Sequence, residues 1–176
     1  MEDPADRIEI REARADDAQL ISVLATATFY EAYFEQDESL NLANYIREAF
    51  DLDVIQTDLK NPDATFYIIY LDTKACGFAK LLKNSTADGV ASKNTIELKR
   101  IYILERVLGK GVGGILLNHC LETSRQQGFE TLWLGVWDEN LKAQRFYDKH
   151  GFKPVGSISM PYGAVVGTNF VMEKKL

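Results

Sequence analysis

The sequence has few cysteines, few prolines and no long apolar run. Its 176 residues include 2 Cys and 4 Pro. Cys76 and Cys120 form neither a disulfide framework nor a metal-ligand spacing, so we expect no metal. No apolar stretch approaches the roughly 20 residues of a membrane-spanning helix. The start, Met1-Glu2-Asp3, lacks the basic and apolar regions of a signal peptide, so we expect a cytoplasmic protein with no membrane partner.

Excess positive charge is also lacking. The chain has 26 acidic and 20 basic residues and a formal net charge of -6. This balance opposes non-specific binding to nucleic acid and favours a basic small molecule as ligand. Hydrophobic residues make up 46% and charged residues 26%, which are ordinary values for a globular protein. The length predicts one domain that spans residues 1–176.

The first third of the chain is predicted to be mainly helical. A short strand, Ile8–Arg11, precedes a helix for which Asp16 is the expected N-cap. The apolar stripe of this helix comprises Leu20, Val23, Leu24, Ala27 and Tyr30. Ser39 is the expected cap of a second helix. A third helix, at about 53–60, ends where Pro62 disfavours helical geometry in the preceding residue.

The rest of the chain alternates between strands and helices. Aromatic and β-branched residues at 65–71 and a second strand at 76–82 flank a turn at 72–74, which predicts a hairpin. Further strands are predicted at 95–104, 131–137, 153–159 and 169–173, and helices at 112–127 and 140–150. The order of strand, helices, three strands, helix, strand, helix and two strands indicates a mixed α+β sheet.

A glycine-rich turn lies between a predicted strand and a predicted helix. It reads Arg106-Val107-Leu108-Gly109-Lys110-Gly111-Val112-Gly113-Gly114. Glycines let the backbone approach a ligand closely, and the first N–H groups of the following helix have no internal partner. The helix dipole, Arg106 and Lys110 add positive potential, so the turn is suited to a pyrophosphate. The spacing is not that of a P-loop and is a poor match to the dinucleotide fingerprint G-x-G-x-x-G.

The spacing R-x-x-G-x-G between a strand and a helix resembles the acetyl-CoA loop of the GNAT superfamily of N-acetyltransferases. Asn140–Tyr147, followed by His150-Gly151-Phe152, is similar to a second GNAT motif, N-x-x-A-x-x-F-Y and then G-F. The match covers about residues 65–175. It implies a single α+β domain with a mostly antiparallel, six- to seven-stranded mixed sheet flanked by helices. That sheet would splay between the strands at 97–104 and 131–137.

The resemblance also implies roles in acetyl transfer. An N–H near Ile101 would stabilise the oxyanion, and Tyr147 would protonate the departing thiolate. Packing in the core is the alternative role of Tyr147. The expected contacts to acetyl-CoA are Ile101, Tyr102, Ile103, Arg106, Gly109, Lys110, Gly111, Val112, Gly113, Gly114, Asn140, Tyr147 and Lys149.

Glu97 is the candidate base, since a protonated amine must lose a proton before it attacks. In the family, a carboxylate often stands at this point of the central strand and acts directly or through water. Lys99 faces the same side two residues on, where many relatives have a second carboxylate. The alternative is that Glu97 is a surface strand residue paired with a lysine.

Within the superfamily, the chain most resembles the PaiA-type spermidine/spermine N-acetyltransferases. The segments that carry this resemblance are Thr28-Phe29, 39–60, Asn61-Pro62, Arg100–Ile103 and Trp133–Asn140. It implies a small aliphatic amine as acceptor, with a linear polyamine ranked first. The expected acceptor-binding residues are Tyr30, Glu31 and Glu35. The alternative is that the acidic residues here, Glu31, Glu35, Asp37 and Glu38, are only the solvated end of a helix. The last hairpin, 163–169, lacks the acidic segment that this group tends to carry.

Alternative functions stay open on the sequence alone. The same fold could acetylate a different amine or a protein N-terminus, or it could bind acyl-CoA as a non-catalytic regulatory module. No nucleic-acid partner is expected, because no basic face is evident. A second copy of the chain, in a homodimer, is left open as a partner.

Overall fold

Strands and helices occur in the predicted order. The computed structural model describes residues 7–162 and 165–176, which contain seven strands and five helices. The strands are β1 (Ile8–Glu12), β2 (Ala64–Leu71), β3 (Lys74–Lys83), β4 (Thr95–Ile103), β5 (Thr131–Trp137), β6 (Lys153–Tyr162) and β7 (Val165–Lys175). The helices are α1 (Ala18–Tyr33), α2 (Ser39–Phe50), α3 (Leu52–Lys60), α4 (Val112–Gln126) and α5 (Leu141–Lys149). The two C-terminal strands are longer than predicted.

The strands form one mixed sheet in the order β1-β2-β3-β4-β5-β7-β6. β1 pairs antiparallel with β2, and β7 pairs antiparallel with both β5 and β6. β4 and β5 are parallel, and their described register joins Thr95–Glu97 to Thr131–Trp133. β5 stays paired with β7 up to Trp137.

Two compact units make up this single α+β domain. The first comprises the described part of Met1–Lys80 together with Arg100–Leu117, and the second comprises Leu81–Lys99 together with Asn118–Leu176. β3, β4 and α4 have residues in both units. The first unit contains α1, α2, α3 and the glycine-rich turn. The second contains β5, α5, β6 and β7.

Helix α1 buries a different face from the predicted stripe. Its buried residues are Ala18, Ile21, Leu24, Ala25, Thr28 and Phe29. Of the five predicted positions only Leu24 is buried, and Val23 is 55% exposed. Because apolar residues occur on most faces of this helix, their spacing fits more than one stripe, and tertiary packing selects among them.

The expected cap of α1 is wrong by one residue. Asp16 lies inside a 3₁₀ turn, Ala15–Asp17, and Asp17 occupies the N-cap position of α1. Two hydrogen bonds from the Arg11 guanidinium, at 2.8 and 2.7 Å, reach the Asp17 carboxylate. A third comes from the backbone N–H of Arg14 at 2.7 Å. The Arg11 bonds are the main cause that lowers the pKa of Asp17 to about 2.

The expected cap of α2 is also wrong. Ser39 is the first residue of the helix, and Glu38 occupies the N-cap position. Helix α3 begins at Leu52, because the Asp51 carboxylate accepts a hydrogen bond from the backbone N–H of Asp53 at 3.1 Å and caps it.

Helix α4 agrees with the prediction. Leu116, Leu117, Cys120 and Leu121 are all buried, and the helix is followed by Gly128 at φ 85°. This positive φ is the left-handed conformation that glycine adopts after a helix. Within the described ranges, none of the helices combines the length and apolarity that a bilayer crossing requires.

Candidate functional site

The glycine loop, defined as Arg106–Gly114, connects β4 to α4 through a 3₁₀ turn at Glu105–Val107. Gly109 has φ 78° and Gly111 has φ 79°, which side chains other than glycine rarely adopt. A Cβ atom added at either position would meet no atom within 4 Å. The loop therefore needs these glycines for their backbone torsion, and open space lies beside them.

Hydrogen-bond donors and positive charge accumulate at this loop. The N–H of Ile115 donates to the Gly111 carbonyl at 3.1 Å, so the N–H groups of Val112, Gly113 and Gly114 precede the first bond of the helical ladder. Arg106 and Lys110 are exposed and form no ion pair with another described residue. Free donors, the positive end of a helix and two cations suit the loop to a pyrophosphate.

Glu31, one of the expected acceptor-binding residues, holds the chain just before the glycine loop. Its Oε2 accepts a hydrogen bond from the backbone N–H of Glu105 at 2.8 Å. Tyr30 Oη lies 3.1 Å from Ser39 Oγ, and Tyr30 also lines a surface pocket of about 460 Å³. Glu35 is exposed, and no hydrogen bond or ion pair joins it to the described residues. Of the two predicted acidic residues, Glu31 is half-buried and bonded, and Glu35 is exposed.

Tyr102 belongs to an aromatic cluster. Its ring centroid lies 6.1 Å from that of Phe29, 6.4 Å from that of Phe50 and 5.9 Å from that of Phe78. The half-buried Tyr102 side chain therefore packs against other aromatic rings. Ile101 and Ile103, its neighbours in β4, are half-buried.

Arg100 places a positive charge beside the same cluster. Its guanidinium carbon lies 4.6 Å from the centroid of the Phe50 ring, and Nη1 lies 3.4 Å from Tyr45 Oη. No carboxylate lies within 4 Å of Arg100 among residues 7–162 and 165–176. A second cation, Lys80, is 7% exposed and has its Nζ 2.6 Å from Asp58 Oδ2. This region therefore holds two cations, and its one described ion pair joins Asp58 to Lys80.

Asn140 and Tyr147 have clear structural roles in the second unit. Asn140 caps α5, because its Oδ1 accepts a hydrogen bond from the backbone N–H of Ala143 at 3.0 Å. Tyr147 is 9% exposed, and its ring makes edge contacts with Phe146 at 5.4 Å and Phe152 at 5.6 Å. The ring of Tyr147 is therefore packed in the core, as in the alternative role considered for this residue. Lys149, the last residue of α5, is exposed.

Glu97 is buried in the second unit and bonded through both carboxylate oxygens. It is 5% exposed, so it is not a surface residue. Oε2 accepts a hydrogen bond from Ser85 Oγ at 2.6 Å, and Oε1 lies 3.2 Å from Lys99 Nζ. The expected side-by-side placement of Glu97 and Lys99 is confirmed. Sequence reasoning missed Ser85, because it lies in a polar segment with no regular spacing.

The two thiols are buried, and the histidine of α4, His119, is half-buried. Burial raises the pKa of Cys120 to about 12 and also raises that of Cys76. Burial lowers the pKa of His119. Among the residues that the structure describes, no three His, Cys, Asp or Glu side chains form a group able to hold a metal ion. In the last hairpin, Gly163 and Ala164 lie outside the described residues.

Comparison with known proteins agrees with this geometry. The model of the acetyltransferase (GNAT) family matches residues 23–152. An uncharacterized N-acetyltransferase of Lactobacillus delbrueckii subsp. lactis is 23% identical over 169 residues, which cover 96% of this chain and 98% of that protein. The N-acetylaspartate synthetase of Xenopus tropicalis is 27% identical over 106 residues, 60% of this chain and 37% of that protein.

A solved structure has a similar fold. The crystal structure of the PaiA N-acetyltransferase from Thermoplasma acidophilum, in complex with coenzyme A, matches with a TM-score of 0.79 and 24% identity over 96% of this chain and 99% of that one. The family match covers most of the chain, and the glycine loop and the α5 motif lie inside it. The chain therefore belongs to the acetyltransferase (GNAT) family and is an acetyl-CoA-dependent N-acetyltransferase.

Proposed function

We propose that this enzyme transfers the acetyl group directly to the primary amine of a small molecule, in a ternary complex, and that a linear polyamine ranks first as acceptor. The observation that carries the acetyl-CoA part is the glycine loop. Its two glycines at positive φ face open space, and the first N–H groups of α4 lie beside two exposed cations. In this proposal the loop holds the pyrophosphate of coenzyme A.

The proposed chemistry gives one role to each of three groups. Glu97 takes a proton from the ammonium form of the acceptor, and the resulting amine attacks the thioester carbonyl carbon. A backbone N–H near Ile101 stabilises the oxyanion. The C–N bond forms as the C–S bond breaks, and the Tyr147 hydroxyl gives its proton to the thiolate. The nitrogen loses its second proton in this step, and that proton returns through solvent to the Tyr147 phenolate. Burial of Glu97 and of the Tyr147 ring supports this proposal, since both side chains are held in place by packing.

A polyamine acceptor is supported by the formal net charge of -6 and by the similarity to a PaiA protein. Glu35 offers an exposed carboxylate near the end of α1, whereas Glu31 already accepts the Glu105 N–H bond. Each exposed ion pair contributes only about 0–1 kcal/mol. Polyamine binding in this proposal is therefore modest and weakens as salt rises.

A second candidate acceptor, an amine that also carries a carboxylate, is favoured by Arg100. Its guanidinium has no carboxylate within 4 Å in the described chain, and it adjoins Ile101 in sequence. Arginine binds carboxylates through two parallel hydrogen bonds, which would fix the orientation of such an acceptor. One relative is an N-acetylaspartate synthetase, whose named product carries carboxylates.

These candidates are separated by measuring kcat and KM at two ionic strengths for three acceptors: spermidine, aspartate and a primary amine with no other charged group. A polyamine enzyme loses kcat/KM for spermidine at high salt and in the double variant Glu31→Gln, Glu35→Gln. Glutamine at position 31 keeps an oxygen for the Glu105 N–H, so that variant removes charge and retains the bond. An enzyme for carboxylate-bearing amines instead shows a raised KM for aspartate in Arg100→Lys.

Other outcomes of the same kinetics are also informative. Turnover of the monoamine alone, with no activity on spermidine at millimolar concentration, refutes the polyamine proposal and leaves acetyl transfer intact. Binding of acetyl-CoA without turnover of any amine or peptide N-terminus favours the regulatory module instead.

A further inference from the structure

Ser85 is fixed to the sheet through its backbone. It lies two residues after the end of β3, and Asn84 before it has φ 55°, in the left-handed region. Two side chains donate hydrogen bonds to the Ser85 carbonyl, Thr95 Oγ1 at 3.0 Å and Trp133 Nε1 at 3.1 Å. Both donors are buried, at 6% and 3% exposure. The chain turn at Asn84 and these two bonds together set the direction of the Ser85 side chain.

The Ser85 hydroxyl is aimed at Glu97. Its Oγ donates to Glu97 Oε2 at 2.6 Å, within the 2.5–2.7 Å range that is typical of a hydroxyl bonded to an ionised carboxylate. The other oxygen, Oε1, faces Lys99, whose side chain is 40% exposed and whose Nζ is 3.2 Å away. One oxygen is therefore held by a fixed neutral donor, and the other by an exposed, flexible cation.

We propose that Ser85 is a positioning residue for Glu97, holding Oε2 so that Oε1 receives the proton of the acceptor. This rests on the proposed function, in which Glu97 is the base. In the proton transfer, the N–H bond of the ammonium breaks and an O–H bond forms at Oε1. Lys99 pairs with Oε1 between turnovers, and its exposed side chain can move aside when the acceptor enters.

The test is Ser85→Ala compared with Ser85→Thr. A hydrogen bond to a charged group corresponds to about a ten-fold to hundred-fold effect, so we expect kcat to fall by about that factor in Ser85→Ala. KM for acetyl-CoA stays unchanged. Ser85→Thr keeps the hydroxyl and restores kcat.

The chain offers a matched control in the same connecting segment. Ser92 Oγ also donates to a carboxylate, Glu130 Oε2 at 2.8 Å, and this bond is exposed. Ser92→Ala removes the same atom in the same kind of bond, and we expect wild-type kcat. Thermal melts of all variants confirm that the measured proteins are folded.

Glu97→Gln separates failure of this inference from failure of the proposed base. If Glu97→Gln keeps wild-type kcat, Glu97 is not the base, and the proposed positioning role of Ser85 is refuted as well. If Glu97→Gln is inactive while Ser85→Ala keeps wild-type kcat, the base stands and positioning by Ser85 is refuted. A folded Ser85→Ala with reduced kcat, a raised KM for acetyl-CoA and no rescue by Ser85→Thr also overturns it, because a merely structural bond gives that pattern.

Discussion

Replacing Gly111 by valine perturbs the glycine loop and leaves the core intact. The residue has φ 79°, and an added Cβ atom meets nothing within 4 Å. The stability cost is therefore backbone strain in the left-handed region, about 1–3 kcal/mol. In a chain of this size, 1 kcal/mol corresponds to about 2–4 °C in Tm. We expect the free variant to melt about 2–12 °C below the wild type and to remain folded at 25 °C.

The decisive quantity is the response to ligand. A ligand that binds only the native state, at 100 times its Kd, stabilises the protein by about 2.7 kcal/mol. For the wild type this amounts to a rise in Tm of about 5–11 °C with acetyl-CoA. In Gly111→Val the side chain occupies the open space beside the loop, so the rise disappears. Melting monitored by dye fluorescence, across a range of acetyl-CoA concentrations, measures it.

Gly128→Val is the matched control. Gly128 follows the other end of α4, has φ 85°, and also has no atom within 4 Å of an added Cβ. The same strain therefore lowers its Tm, but the ligand response should persist in full. A full response in Gly111→Val refutes the assignment of the loop. Loss of the response in both variants shows instead that strain anywhere near α4 prevents binding.

Three further predictions concern single side chains. Tyr147→Phe removes the hydroxyl but keeps the ring that packs on Phe146 and Phe152. We therefore expect kcat to fall at least about ten-fold, with little change in the Kd of coenzyme A. If kcat is unchanged while chemistry is rate-limiting, Tyr147 has only a packing role. Folding lowers the pKa of Asp17 from 3.8 to about 2. The ionised Asp17 carboxylate therefore stabilises the native state fully at pH values above 3.8, and this stability is lost as the pH falls through about 2. Asp17→Asn should therefore cost about 2 kcal/mol at pH 7 and progressively less below pH 4, as denaturant unfolding at several pH values can check. Cys120, whose pKa burial raises to about 12, should resist alkylation in the native protein at pH 8 and react after unfolding, as mass spectrometry can measure.

Local signals in the sequence were sufficient for most of the secondary structure. Residues Asp72 and Thr73, both at positive φ, form the two-residue turn of the predicted β2–β3 hairpin. Gly109, Gly111 and Gly128 adopt the left-handed conformations that their positions beside a helix suggested. In each case a few adjacent residues determine the backbone, so composition and spacing carry the information.

The face of α1 could not be predicted in the same way. Leu20 and Val23 fit an apolar stripe as well as Ile21 and Phe29 do, and the aromatic cluster selects the second set. That cluster includes Tyr102, about 70 residues further along the chain, which no helical periodicity can reveal.

The contacts of Glu97 and Glu31 also could not be predicted from the sequence. The Glu31 carboxylate meets the backbone of Glu105, and the Glu97 carboxylate meets Ser85 in an irregular segment. These bonds depend on how strands and helices pack, whereas the motifs identify residue types at fixed spacing. Sequence therefore identified Glu97 as a candidate, and the structure supplied the partners of its two oxygens.

The most direct test of acetyl transfer is to measure two products together, the free thiol released from acetyl-CoA and the N-acetylated amine, in mixtures with single amines. We predict that both products form in equal amounts, only when an acceptor amine is present, and that Glu97→Gln suppresses both. Thiol release at the same rate without any amine, or the absence of an acetylated product from every amine tested with acetyl-CoA bound, would contradict the account.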